Sequence, residues 1–277
     1  IMQLPSSYIK QQVALALAED IGNGDVTAQL IPAHKLANAR IICREPAILC
    51  GSEWVSEVFF QLDPTIQIDW NCHDGDIIES KQELCRLHGS ARHLLSGERT
   101  ALNFLQTLSA TATQAHEYVV AVEGTDCRIL DTRKTIPGLR LAQKYAVRCG
   151  GAHNHRSGLY DMVLIKENHI SASGSIGAAV KTARCLSPDI PVEVEVENLQ
   201  ELKQALDAQV DRILLDNMDI PTLEQAVQMT NKRIPLEASG GVSLKTARNI
   251  AQTGVDYISI GSITKHIRAI DLSMRFI

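Results

Sequence analysis

The chain has 277 residues, 45% apolar, 21% charged and only 4% aromatic, with a formal net charge of -5. That length accommodates one large α/β barrel or two domains, and the balanced composition excludes a disordered polymer. The acidic total speaks against a nucleic-acid surface, no run nears the ~18 apolar residues that cross a bilayer, and no secretory leader opens the sequence. A cytoplasmic protein is expected. Its seven cysteines are scattered without a CxxC pair, which argues for small buried hydrophobes rather than a disulfide framework or a zinc ribbon. Ile1, ahead of Met2, is given no structural meaning.

An amphipathic helix is predicted from about Ser7 to Asp20, where Ile9, Val13 and Leu17 recur at helical spacing. The stretch EDIGNGDVTAQLIP (19 to 32) reads as an irregular loop. Strands are predicted at 38 to 43, 46 to 50 and 65 to 70, with a helix at about 52 to 60 and turns at Asp63-Pro64 and Asp74-Gly75. A long helical segment starts near Ser90, an N-cap candidate, and carries SGERTALNFLQTLSATAT (96 to 113). These elements predict a small N-terminal α/β sandwich domain over residues 1 to 111, with the tail from about 266 to 277 packing against it.

From residue 112 to 265 the pattern changes to strand, short polar loop, helix. Six strands are predicted, at 127 to 131, 161 to 166, 192 to 196, 212 to 216, 235 to 239 and 256 to 260. Helical periodicity fills 138 to 149, 175 to 186, 199 to 208, 222 to 231 and 243 to 253. Alternating β and α units imply a parallel sheet with helices outside it. Six strands fall short of the eight of a closed barrel. An incomplete, open α/β barrel is the expected fold, with a doubly wound open sheet as its rival.

Binding sites of parallel α/β folds lie at the carboxyl ends of the strands. In this chain Asp131, Arg133 and Lys134 end the first barrel strand, Lys166 the second, Glu195 the third and Asp216 the fourth. The strings SGG (239 to 241) and GS (261 to 262) end the last two. Small-residue turns running into helices let backbone N–H groups approach a phosphate. Glu195 and Asp216 are candidates for Mg²⁺ or ribose hydroxyls, since a hard cation takes oxygen ligands. The alternation in VEVEVEN (192 to 198) puts Glu193, Glu195 and Glu197 on one face, and a solvated face is the competing reading.

Between Asp131 and His169 seven Arg and Lys residues stand against three acids. Arg133, Lys134, Arg156 after His155, and Lys166 are expected to surround a small polyanion, the arginines by bidentate forks and the lysines as point charges. Arg140, Lys144 and Arg148, four residues apart on a helix, are assigned to a solvated face. His153, His155 and His169 lack the matching ligands of a zinc site.

The strings SGERTALNFLQTLSATAT, DTRKTIPGLRLAQKYAVRCGGAHNHRSGLYDMVLIKENHI, PVEVEVENLQEL, RILLDN, EASGGVS and TGVDYISIGSITKH together resemble, in order, the quinolinate phosphoribosyltransferase family. The resemblance implies an N-terminal sandwich, an incomplete barrel, and a homodimer or higher assembly with active sites shared between subunits. It implies transfer of phosphoribose from phosphoribosyl pyrophosphate to quinolinate with loss of CO₂, giving nicotinate mononucleotide and pyrophosphate with Mg²⁺. It further implies that Thr132, Arg133, Lys134, His155 and Arg156 line the quinolinate pocket, with Arg99 entering from the partner subunit. Lys166 would face the pyridine and pyrophosphate, Glu195 and Asp216 the ribose and Mg²⁺ directly or through water, and Ser239, Gly240, Gly241, Gly261 and Ser262 the phosphate. Lys134, Lys166, Glu195 and Asp216 are the candidate catalytic groups. The rival readings are a Schiff-base lyase using Lys166 and a protein that binds phosphoribosyl pyrophosphate without turnover.

Overall fold

The structure is a computed structural model that describes residues 4 to 277; residues 1 to 3, Ile1 and Met2 among them, lie outside the described residues. In chain order the elements begin with α1 (Ser6–Ile21), a 3-10 turn (Ala28–Leu30), β1 (Leu36–Cys43), β2 (Ala47–Ile48), α2 (Ser52–Leu62), β3 (Gln67–Trp70), β4 (Ile77–Ile78), β5 (Glu83–Ser90) and α3 (Ala91–Ala121). Next come β6 (Arg128–Leu130), α4 (Arg140–Cys149), β7 (Val163–Ile165), α5 (Glu167–Ser173), α6 (Ile176–Leu186), β8 (Val192–Val196), α7 (Leu199–Asp207) and β9 (Arg212–Asp216). The last are α8 (Ile220–Thr230), β10 (Leu236–Ser239), α9 (Leu244–Gln252), β11 (Tyr257–Ser259), α10 (Ser262–Lys265) and β12 (Leu272–Phe276). The described residues form two compact units, those up to 116 with 141–151 and 266–277 in one, 117–140 and 152–265 in the other.

In the first unit an antiparallel sheet runs in the order β12-β1-β5-β3. Residues Ala39, Ile41 and Cys43 alternate into the core, the period-2 signature of a half-buried strand. The two-residue strand β4, the eight-residue strand β5 and the C-terminal β12 are absent from the sequence expectations. ELCRLHGS mixes charges into its alternation, and strand β12 is defined by its pairing with β1 rather than by local pattern. Helix α3 does begin after Ser90, whose hydroxyl accepts from His93 N–H at 3.5 Å. It lies close to α2 through Gly97, where an added Cβ would sit 2.8 Å from Phe59 and Leu62 side-chain carbons. The first irregular loop is organised by Asp25, whose carboxylate accepts N–H groups of Thr27 and Ala28 and the Ser96 hydroxyl.

The second unit carries a parallel sheet in the order β6-β11-β10-β9-β8-β7. Neighbours step evenly from β7 to β11 and the last strand pairs with β6, so the order has no reversal. A doubly wound sheet requires one. The strand ends β6 and β7 stay unpaired with each other, and a single parallel bridge, Leu130 to His153, extends the β6 side. The barrel is therefore open.

The strands expose one face to the helices and the other to the barrel interior. On β8 the valines Val192, Val194 and Val196 are fully buried, as expected of the helix-facing side. The interior face is polar: Glu193 and Glu237 are both 0% exposed. The solvated-face reading of VEVEVEN therefore fails at Glu193 and holds only for Glu197, which is exposed. The same reading fails on α4, where Lys144 is buried and Arg140 and Arg148 are half-buried. Six of the seven cysteines are buried, Cys185 being the exposed one.

Candidate active site

A pocket of about 200 Å³ opens at the carboxyl ends of the barrel strands. Thr132, Arg133, Lys134, His155, Arg156, Lys166, Glu195 and Ser239 line it, all of them expected from the sequence. Leu164, Leu214, Glu237 and Ser259 complete the wall. A larger hollow of about 590 Å³ in the first unit has Lys10 as its one lining cation, against Glu53 and Glu57. Converging positive charge, rather than size, identifies the site.

The residues after β6 are held by local bonds. Thr132 Oγ1 accepts from Lys134 N–H at 3.0 Å, and the Lys134 carbonyl accepts from the Thr264 hydroxyl at 2.9 Å. The Lys134 side chain crosses Gly261, where a Cβ would lie 2.8 Å from Lys134 Cδ. That contact brings a lysine and the loop after β11 together. Buried Asp131 accepts the His155 N–H at 2.8 Å and the Asn154 amide at 2.7 Å. The following loop is pinned by Asp161, whose carboxylate accepts the N–H groups of Ser157 and Gly158.

Arg156 donates through Nη1 to the Met162 carbonyl at 3.2 Å. Burial, and then the nearby Arg133 guanidinium, lower its pKa from the ordinary arginine value. Arg133 Nε is buried with no hydrogen-bond partner. An unpaired buried donor beside a like charge is costly, and a bound anion would relieve both.

Lys166 Nζ lies 2.9 Å from Glu195 Oε2. Asp216 ends β9 in register with Ser239, and its carboxylate accepts from Asn217 at 2.8 Å. Glu195, next to the last residue of β8, and Asp216, the last of β9, are carboxylates on neighbouring strands, a donor type that suits a hard cation completed by phosphate and water. Gly240 has φ +97°, and a Cβ there would overlap the Asn217 side chain. Gly241 is also left-handed, at φ +63°. The SGG turn therefore needs glycine. It leads to α9, capped by Ser243 and Thr246, whereas the helix after Gly261 is the single turn α10. Ser262 Oγ sits 3.4 Å from the Tyr118 hydroxyl. Arg99 lies exposed on α3 and is not among the lining residues.

Beneath the pocket is a buried charge cluster that sequence reasoning missed. His155 Nε2 lies 3.1 Å from Glu193 Oε2 and 3.2 Å from Glu237 Oε2. Arg212 Nη1 donates to Glu237 Oε2 at 3.2 Å and its guanidinium stacks 4.5 Å from the Tyr257 ring centre. Burial lowers the His155 pKa and the two carboxylates pull it up toward about 9, a pull that the Arg156 N–H donated to Nδ1 opposes, since that nitrogen cannot accept a hydrogen bond and carry a proton at once. Burial raises the Glu193 pKa, while in Glu237 burial is outweighed by His155, Ser259 and Arg212, which lower it. The available signal was a charged residue in mid-strand on the face opposite the valines.

The family model for the quinolinate phosphoribosyl transferase C-terminal domain matches residues 111–275, and that for the N-terminal domain matches 25–109. A probable nicotinate-nucleotide pyrophosphorylase [carboxylating] of Bacillus subtilis is 42% identical over 257 residues, 92% of this chain and 89% of that protein. The corresponding protein of Mycobacterium leprae is 40% identical, with 96% of each chain covered. The solved nicotinate-nucleotide pyrophosphorylase of Francisella tularensis superposes with a TM-score of 0.96 at 46% identity, covering 99% of this chain and 98% of that one.

Proposed function

Because the chain belongs to the quinolinate phosphoribosyltransferase family, we propose that its barrel pocket joins quinolinate to phosphoribosyl pyrophosphate and releases pyrophosphate, CO₂ and nicotinate mononucleotide. The protein is a pentosyltransferase of NAD biosynthesis. The observation that carries this reading is the pairing of Arg133 and Arg156 in one pocket, with a buried Arg133 donor awaiting an acceptor. Two guanidinium groups match the two carboxylates of quinolinate, and a monoacid would leave one of them unsatisfied.

In this reading Thr132, Arg133, Lys134, His155 and Arg156 surround the pyridine dicarboxylate, and Lys166 stands between that ring and the pyrophosphate. Ser239, Gly240, Gly241, Gly261 and Ser262 receive the 5′-phosphate on backbone N–H groups and hydroxyls. Glu195 and Asp216 would hold the ribose and, directly or through water, Mg²⁺, which would supply positive charge to balance the departing pyrophosphate. Arginines orient the pyridine nitrogen toward the anomeric carbon, and fixed cations favour the charge that develops as the C–O bond breaks. No protein nucleophile is needed. Once ribosylated, the ring nitrogen is cationic and stabilises the electron pair left on the adjacent carbon as CO₂ departs; that carbon then takes a proton.

In this assignment the first unit, with 141–151 and the tail 266–277, is the sandwich domain, and residues 117–140 with 152–265 are the catalytic barrel. Arg99 serves the site of the partner in a homodimer. Among the described residues no helix is long and apolar enough to cross a membrane. Seven free thiols fit a reducing cytoplasm. The test is product analysis: purified protein with quinolinate, phosphoribosyl pyrophosphate and Mg²⁺ should release CO₂ and nicotinate mononucleotide in equal amounts. Phosphoribosyl pyrophosphate binding without product would move the reading to a non-catalytic binder.

A further inference from the structure

The barrel interior holds two fully buried glutamates that the proposed reaction does not use. Apolar side chains normally fill this space, and buried carboxylates are costly unless they hold something in place. Neither Glu193 oxygen has a hydrogen bond of good geometry. Both carboxylates face one atom, His155 Nε2, at 3.1 and 3.2 Å.

The other ring nitrogen is engaged as well. Arg156 donates its backbone N–H to His155 Nδ1 at 2.7 Å. A nitrogen that accepts N–H carries no proton of its own, so the ring proton sits on Nε2 and points to the glutamates. The carboxylates favour a second proton on the ring, but it would set N–H against N–H at Nδ1. The hydrogen bond decides for the neutral ring as folded. It also decides against a metal in the His155, Glu193 and Glu237 cluster, whose ligand atoms lie within 4.8 Å of one another. A metal would need the Nε2 lone pair, and the Glu237 carboxylate is already paired with Arg212.

We propose that Glu193 and Glu237 are positioning residues acting through His155: they anchor the imidazole as a strut whose far nitrogen fixes the Arg156 backbone, so His155 orders Arg156 rather than bonding the dicarboxylate itself. This rests on the reading of the pocket as a dicarboxylate site. The strut has a second anchor at its own backbone, where Asp131 accepts the His155 N–H. The path from barrel floor to pocket is Glu193 and Glu237, then the His155 ring, the Arg156 amide and the Arg156 guanidinium. His155 lines the pocket with both nitrogens already engaged.

The test combines a spectroscopic and a kinetic readout. In protein labelled with ¹⁵N-histidine, the His155 ring should appear as the Nε2–H tautomer and keep that pattern when quinolinate is added. Calorimetry on the same sample reports whether quinolinate binds, so absent binding counts against the dicarboxylate reading and not against the strut. An Nδ1–H tautomer, a doubly protonated ring, or a tautomer change on quinolinate binding would overturn the proposal. In kinetics, Glu237→Leu should raise KM for quinolinate by about tenfold or more, with a smaller fall in kcat and no change in KM for phosphoribosyl pyrophosphate. Glu237→Gln keeps an acceptor oxygen and should recover most of that loss. A folded Glu237→Leu protein with wild-type KM for quinolinate sinks the idea, and the ¹⁵N experiment decides if that variant does not fold.

Discussion

The Lys166 ammonium lies 2.9 Å from the Glu195 carboxylate, joining the ends of β7 and β8. The pair is partly exposed on the lysine side, at 45%, so its contribution to stability is small. Its value is placement. Lys166→Ala should lower kcat/KM by at least about 100-fold, a loss of roughly 2.7 kcal/mol in transition-state binding, with little change in Tm. Lys166→Arg should restore little, because a planar fork does not replace a mobile point charge. Steady-state assay of nicotinate mononucleotide checks both.

Arg133→Ala should abolish saturation by quinolinate while sparing much of the binding of phosphoribosyl pyrophosphate. Calorimetric titration with each substrate separates the two. Equal loss of both would refute the division of the pocket into a dicarboxylate half and a phosphate half.

Arg99 tests whether sites are shared between subunits. Arg99→Ala and Lys166→Ala proteins should each be nearly inactive, and mixed dimers should regain part of the activity because one of their two sites carries neither lesion. Verified heterodimers with no recovery would remove Arg99 from the partner's site.

Asp25 gives a pH prediction of definite sign. Hydrogen bonds from Ala28 and Ser96, then Thr27, hold its pKa below the ordinary 3.8. A depressed carboxyl pKa contributes stability that is complete above the unfolded value and fades as pH falls through the folded one. Asp25→Asn should therefore be less stable than the parent near neutrality, and the gap should narrow as the pH is taken below the ordinary aspartate value of 3.8. Urea melts at three pH values measure this.

Gly150 is a stability site with no chemistry. A Cβ there would overlap the Ala112 carbonyl and come within 2.8 Å of Ala115 Cβ. Both obstacles belong to helix α3 and neither can swing aside. Gly150→Ala should cost about 2 kcal/mol or more, read as a fall in Tm.

The rim of the pocket was readable from sequence because polar residues at the ends of apolar strands have no packing reason to be there. Arg133, Lys166 and Glu195 stood out in that way, and so did the glycines of the SGG turn. The floor was not readable. Glu193 looks like one of three alternating acids, and only the strand order puts it opposite Glu237 and beneath His155. Lys144 was misjudged for a related reason: charge spacing along a helix reports a face, not whether that face meets water. Strand β12 depends on a partner more than 200 residues away in sequence, which no local pattern encodes.

That last pairing orders events during synthesis. The barrel segment 152–265 leaves the ribosome before residues 272–276, yet the sheet of the first unit lacks its β12 edge until those residues arrive to lie along β1. The half of the protein that is translated first is thus the half completed last, and until then the outer flank of β1 presents open backbone groups to neighbouring nascent chains.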